Sequence, residues 1–566
     1  MEQTIRQRYE SWLNDSNFDE ATRRELEAIR NDEKEIEDRF FQELTFGTGG
    51  LRGILGAGTN RMNIYMIRKA TQGLADFIHQ HGPEAADRGV VIAHDCRHMS
   101  REFCLEAACV LAANGITAYI FDDMRPTPEL SFAVRNRSAI AGIVVTASHN
   151  PPEYNGFKVY WEDGAQVSTA IADAITLAIQ AIESFHQVKV MAENKARQEG
   201  WIRELGSDMD EAYLEAVLGQ TLRQDAIQKV ADRFKVVFTP LHGAAAKLVP
   251  EALKRAGFKN ILLEPSQIVP DPDFSTVKSP NPEEKAAFQL AMILAEKEKA
   301  DLIIGTDPDG DRVGVVVKNQ EGDYVVLTGN QTGALLVEYI LRTRRGKNML
   351  PANSLMVKTI VTSEMGAVIA QKYGVFMENT LTGFKYIGDR IKHYETTGEK
   401  QFLFGFEESY GYLSGTYARD KDAVVAALLI AEMAAVYALE GLTLYEGLQK
   451  LYTVYGYFLE DLKSITLKGK EGMEKIGTIM NRFRVDPPDK LAGVAVTSVE
   501  DYQKMPGYPA ADVIKMWLGE RGWVALRPSG TEPKLKIYGS VCTSSPESSR
   551  KLLDSWIREL QEMINQ

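Results

Sequence analysis

The strongest constraint on this chain is a pattern that recurs four times. A short apolar run stops abruptly in a polar stretch rich in Gly or Pro. Residues 141–145 (AGIVV) run into TASHN and Pro151-Pro152, and residues 234–238 (FKVVF) into TPLHG. Residues 301–305 (DLIIG) run into TDPDGDR, and 402–406 (FLFGF) into EESYGY. Short apolar runs bounded by turn residues read as buried strands, and proline cannot continue a central ladder. Segments of helical period, at 66–80, 101–114, up to 256 and up to 299, alternate with these runs and with further strand-like runs at 89–94, 117–121 and 260–263. Strands alternating with helices imply open α/β sheets, whose ligands bind at the carboxyl ends of the strands. The four polar stretches lie at those ends.

A chain of 566 residues is too long for one core, so about three to five domains are expected. With 44% hydrophobic and 25% charged residues it has a globular composition. The apolar run at 423–439 carries Glu432 and is too short for a bilayer, so it reads as a buried helix. A net charge of −13 argues against nucleic acid, which needs a basic footprint. A phosphorylated small molecule stays possible if basic groups are concentrated locally or a divalent cation is supplied. Cys96, Cys104, Cys109 and Cys542 form no CxxC pair, and no signal-peptide pattern is seen. A reduced, cytoplasmic setting without membrane insertion is expected.

In chain order, residues 1–43 are charged and helical in period, a collar for the first domain. FGTGGLRG follows, where four glycines allow close backbone approach and Arg52 offers a planar donor fork for phosphate. After TASHNPP, NGFK places Lys158 on the same short excursion as Ser148. LTGFK, with Lys385, reads as a loop. The last hundred or so residues hold short strands, the stretch RPSGTEP and a closing helix at 546–565.

The polar stretches have distinct chemistry. Ser148 is a candidate nucleophile beside His149. Asp307, Asp309 and Asp311 alternate directly after a strand. Three carboxylates share so small a volume only if a cation offsets their repulsion, and all-oxygen ligands with room for phosphate suit Mg²⁺. An EF-hand calcium loop does not fit, because its twelfth position, counted from Asp307, holds Lys318 and not glutamate. Arg312 can pair with a phosphate that the metal also touches. Arg527-Pro-Ser-Gly-Thr offers a guanidinium, hydroxyls and a turn whose N–H groups converge on an anion. Glu407 and Ser409 suit sugar hydroxyls. A hydroxyl nucleophile, a tri-aspartate metal site, a remote phosphate cradle and a polyol turn together favour phosphoryl transfer on a sugar with phosphates at both ends.

Read in order, FGTGGLRG, VVIAHDCRHMS, TASHNPP with NGFK, TPLHG, GTDPDGDR, LTGFKYIG, GFEESYG and RPSGTEPK resemble the α-D-phosphohexomutase family over nearly the whole chain. The collar, PDPDFSTVKSPNPEE and GFEESYGYL look most like its phosphoglucomutase branch. The resemblance implies three mixed α/β domains and a fourth, TATA-binding-protein-like α+β domain around a central cleft. The expected boundaries are 1–208, 209–324, 325–455 and 456–566. It implies a phosphorylated Ser148, with Mg²⁺ held by Asp307, Asp309, Asp311 and the Ser148 phosphate. Glu407, Ser409, Arg419 and Arg312 would contact the substrate, and Arg527, Ser529, Gly530 and Thr531 its distal phosphate. Arg52, Lys158, Lys385 and His149 complete the implied catalytic set, with Lys158 as general acid. The implied reaction interconverts glucose 1- and 6-phosphate through glucose 1,6-bisphosphate. Pentose or mannose phosphates are alternative substrates, and a non-catalytic sugar-phosphate-binding protein is the alternative from another class. One departure from the family pattern is Phe406, inserted between Gly405 and Glu407.

Overall fold

The computed structural model describes residues 3–47, 49–467, 469–520, 522–529 and 534–565, without the side chains of 469–471. Four sheets follow one another along the chain. In the first, Ala141–Val145, Val90–His94, Ala118–Phe121 and Ile202–Leu205 run parallel. Tyr154–Trp161 and then Gly50–Ile54 add antiparallel strands at the Ala141–Val145 edge. In the second, Leu302–Thr306, Lys235–Thr239 and Asn260–Leu263 are parallel, and the hairpin Val313–Lys318/Tyr324–Leu327 extends them. In the third, Phe376–Thr380, Ser354–Thr359 and Gln401–Phe406 are parallel and Tyr412–Ser414 is antiparallel.

The first three sheets therefore share a device. A parallel strand ends, the chain reverses through a polar stretch, and the next segment returns antiparallel beside it. TASHNPP, DPDGDR and EESYG are those three reversals. The fourth sheet differs. It is antiparallel throughout, in the order Tyr457–Thr466, Lys534–Thr543, Gly522–Pro528, Ile514–Leu518, Val494–Asp501, Lys490–Leu491. Pro546–Asn565 and Gly469–Val485 pack on it.

The first three units share one core, a continuous buried cluster running from Val91 to Tyr452. Its axis is the helix Ala423–Leu439, apolar all round and buried as its sequence required. Glu432 is tolerated there because the Leu222 N–H (3.0 Å) and the Tyr339 hydroxyl donate to its carboxylate. Among the described residues no single helix is long and apolar enough to cross a membrane. The N-terminal collar is three helices, Gln3–Asn14, Glu20–Ala28 and Glu33–Phe40. Asp19 and Asp32 cap the second and third, Trp12 and Phe18 pack on Tyr65, and Tyr9 and Phe40 join the same cluster.

Candidate active site

Ser148 sits at the first reversal with a left-handed backbone, φ 51°. That conformation costs a non-glycine residue about 1–2 kcal/mol, so its surroundings must impose it. They do. The Ser148 N–H donates to Thr146 Oγ1 (2.8 Å). Buried Arg97 donates to the carbonyls of Ser148, Asn150, Pro151 and Tyr154. Asp95 in turn accepts from Thr146 Oγ1 (2.6 Å) and Ser100 Oγ (2.8 Å) and pairs with Arg97. The stretch DCRHMS thus holds the nucleophile loop in shape from beneath.

The second reversal brings its carboxylates to that hydroxyl. Ser148 Oγ donates to Asp307 Oδ2 at 2.7 Å and lies 3.2 Å from His149 Nδ1. The other Asp307 oxygen accepts the N–H groups of Asp311 (3.1 Å) and Arg312 (2.9 Å). Asp309 Oδ2 accepts from Lys158 Nζ (2.7 Å) and Thr127 Oγ1 (3.2 Å). Asp311 Oδ2 pairs with Lys421 Nζ at 2.9 Å and lies 3.6 Å from Lys158 Nζ. The loop is pressed into place by TPLHG: a Cβ on Gly243 would meet Pro308 Cα at 2.5 Å, so only glycine fits.

This donor set fits a hard divalent cation. Each aspartate is at most 1% exposed, and one oxygen from each lies within 4.8 Å of the others. Asp309 Oδ1 and Asp311 Oδ1 are buried with no hydrogen-bond partner. Orphaned carboxylate oxygens pointing into one small space are what a metal satisfies. Burial, with Asp309 and Asp311 close by, pushes Asp307 well above the carboxylate range. Burial would raise Asp309 too, but Lys158 and Asp307 hold it low. Burial, then Arg312 and Arg52, keeps His149 well below the usual imidazole value, so its ring is neutral.

The remaining candidates divide. Glu407, 3% exposed, accepts from the Gly383 N–H (3.0 Å) and Ser409 Oγ (3.4 Å), and burial pushes its pKa up to about 7. Lys385 is not in a loop, as its sequence suggested. It stands in the first turn of the helix Phe384–Thr397, which begins at the glycine held by Glu407. Burial lowers its pKa. Arg52 lies beside the serine loop, donating to Asn150 Oδ1 (3.1 Å) from a strand paired with the one that carries Lys158. Arg312 is paired with Glu283 (2.6 Å). Arg419 is fully buried and turned elsewhere, onto Glu395 and the carbonyls of Thr416 and Ala418. Arg527 stands next to the end of the strand Gly522–Pro528 and Ser529 follows that strand, beside the paired strand Lys534–Thr543. Gly530 and Thr531 lie outside the described residues.

Sequence reasoning missed Lys421 and Thr127. A lysine in ARDKD looks like a solvated charge, and Thr127 like a helix start. Only contact across units reveals them. Phe406 proves to be a core residue: it stacks on Phe404, and Gly333 and Gly366 leave room for its ring. The insertion faces the core and not the sugar turn.

Comparisons with known proteins agree with this geometry. Residues 43–186, 211–322 and 328–455 match the families described as phosphoglucomutase/phosphomannomutase, alpha/beta/alpha domains I, II and III, and 480–547 match the C-terminal domain. A phosphoglucomutase of Staphylococcus aureus (strain bovine RF122 / ET3-1) is 38% identical over 534 residues, 92% of this chain and 93% of that one. Two solved structures share the fold. The pp63/parafusin phosphoglucomutase of Paramecium, in an open form, has TM-score 0.71 at 17% identity, covering 93% of this chain and 96% of that one. A putative phosphomannomutase of Thermus thermophilus has TM-score 0.69 at 24% identity, covering 92% of this chain and 99% of that one. With its four domains matched in order around a serine that meets three buried aspartates, the chain belongs to the phosphoglucomutase/phosphomannomutase family, the α-D-phosphohexomutases.

Proposed function

We propose that this phosphohexomutase interconverts α-D-glucose 1-phosphate and glucose 6-phosphate, with Ser148 as phosphoryl carrier and glucose 1,6-bisphosphate as intermediate. The observation that carries the reading is the Ser148 hydroxyl 2.7 Å from Asp307, inside a buried three-aspartate site contributed by another domain. Mg²⁺ held by Asp307, Asp309, Asp311 and the Ser148 phosphate would neutralise charge on the transferring group.

In the first half-reaction a sugar hydroxyl attacks the phosphorus of phosphoserine. Its P–O bond forms as the bond to Ser148 Oγ breaks. The hydroxyl gives up a proton and Oγ takes one up. Burial opposes the charge on Lys158, but Asp309 and Asp311 outweigh it and keep the ammonium protonated, which suits an acid at Oγ. Lys385, in the helix turn that begins at the glycine held by Glu407, would serve the sugar as base or as orienting residue. His149 is placed to orient Oγ. Glu407 and Ser409 read the ring hydroxyls, and Arg527 and Ser529, with Gly530 and Thr531, grip the phosphate that is not reacting. The bisphosphate then turns about half a revolution, and the other phosphoryl group returns to Ser148.

Comparing kcat/KM for glucose 1-phosphate, mannose 1-phosphate and ribose 1-phosphate tests the assignment. Glucose 1-phosphate is expected to lead. A hundredfold preference for ribose 1-phosphate would overturn it. Intact mass should show one phosphate after incubation with glucose 1,6-bisphosphate. Its persistent absence would favour a binding protein.

A further inference from the structure

Lys515 lies on the strand Ile514–Leu518 of the C-terminal sheet and is 1% exposed. Its ammonium sits between two indole rings, 4.4 Å from the Trp517 centroid and 4.3 Å from that of Trp523. It leaves its own domain to find its polar partners. Nζ donates to the carbonyl of Ile360 (2.8 Å) and reaches Glu364 Oε1 (3.4 Å), both in the third unit. The apolar seam around it joins Ile360, Val361 and Leu381 to Tyr502, Val513, Trp523, Ala525 and Tyr538. Burying an ammonium is costly unless it is well paired, and burial with neighbouring Lys358 pushes the Lys515 pKa down to about 8. A charge kept there against that cost suggests a use.

The turn that receives Lys515 has a second face. Lys358, fully buried, braces it from within, donating to the Thr362 carbonyl (3.1 Å) and to Glu364 (3.1 Å). On the far side Thr359 Oγ1 (2.8 Å) and Thr362 Oγ1 (3.0 Å) both donate to the carboxylate of Glu408. The Glu408 N–H donates back to Thr362 Oγ1 at 3.2 Å. Glu408 is the central residue of Glu407-Glu408-Ser409. The strand end at Thr359 and the turn 360–364 after it are therefore gripped by the C-terminal domain on one side and grip the sugar turn on the other.

We propose that Lys515 is a positioning residue: its bond to the Ile360 carbonyl couples the seating of the C-terminal domain to the setting of the Glu407–Ser409 turn. The domain that holds the distal phosphate thereby reports its arrival to the residues that read the sugar. Discrete hydrogen bonds, rather than a diffuse apolar contact, make this coupling possible, because such bonds are either made or broken. The inference rests on the proposed mutase reading for its kinetic arm and is independent of it for its structural arm.

The experiment compares wild type, Lys515→Met, Lys515→Arg and Thr362→Val. In the unliganded protein, Lys515→Met should shift the tryptophan emission and speed amide hydrogen exchange across residues 404–411. Thr362→Val should speed the same exchange with emission unchanged, because it cuts the link beyond the indoles. With glucose 1-phosphate, both should raise KM about tenfold with a much smaller change in kcat. Lys515→Arg should restore most of the loss. Unchanged exchange at 404–411 and KM within twofold of wild type in Lys515→Met would overturn the proposal. Should Lys515→Met not fold, a normal KM in Thr362→Val would overturn it alone. A wild type inert on glucose 1-phosphate would instead count against the mutase reading, while the exchange comparison still decides the coupling.

Discussion

The serine–aspartate centre and the strands that carry Arg527 and Ser529, the proposed grip for the distal phosphate, are built in opposite ways. The centre draws on three units at once: Ser148, Lys158 and Thr127 from the first, the aspartates from the second and Lys421 from the third. All three units share one core. These strands belong to a domain whose buried core residues lie between 476 and 564 and which meets the third unit through an apolar seam. Bond-making tolerates little displacement, whereas under the proposed mechanism a grip on the spectator phosphate would open for a turning intermediate. The first therefore stands where three units join in one core, and the second on a unit with a core of its own.

The sharpest break of this contrast is at the junction. Ser148→Ala should lower kcat by about 10⁴-fold or more while moving Tm little, since a loop hydroxyl contributes little to stability. Near-normal turnover would remove the carrier from the mechanism. Stripping divalent ions with a chelator should cost about 10²–10⁴-fold in rate, restored by Mg²⁺. Activity that survives exhaustive chelation would mean that the lysines alone offset the aspartates. In the C-terminal domain, Arg527→Ala should act mainly on KM, raising it about 10–100-fold through loss of charge-assisted hydrogen bonds. An equal fall in kcat would show that the cradle takes part in the chemistry and would erase the distinction.

A gentler probe is pH. Burial raises Glu407 from the ordinary 4.5 to about 7. If its ionised form accepts the sugar hydroxyls, as proposed, kcat/KM should fall as pH drops through about 7, by about tenfold per unit below it. Glu407→Gln should flatten that limb. The stability effect has the opposite sense. A carboxyl with a raised folded-state pKa stabilises fully below about 4.5, and that contribution is lost as pH rises through about 7. Denaturant midpoints of wild type and Glu407→Gln across this window would show it.

Much of this was legible beforehand because it is local. Ala141–Val145 was visible as an apolar run cut off by a polar stretch, and it forms that strand. Asp307, Asp309 and Asp311 suggested a shared cation site by their spacing, and the structure brings one oxygen of each within 4.8 Å of the others. The helix Ala423–Leu439 was readable from uniform apolarity. Other features were invisible for a physical reason. Lys385 reads as a loop residue because Thr-Gly-Phe-Lys carries turn signals, yet the helix starts once Glu407 holds the Gly383 N–H. Arg419 carries a charge that suggests substrate, and tertiary packing buries it against Glu395.

The sequence by itself determined where strands end and which side chains stand at those ends, because both follow from period, apolarity and the missing N–H of proline. Only the tertiary structure decided which of those ends meet. Ser148 and Asp307 are 159 residues apart and share a hydrogen bond. Lys421 comes from a third unit to pair with Asp311. Such encounters depend on how separately folded sheets bury their remaining apolar faces against one helix, and no local pattern encodes that.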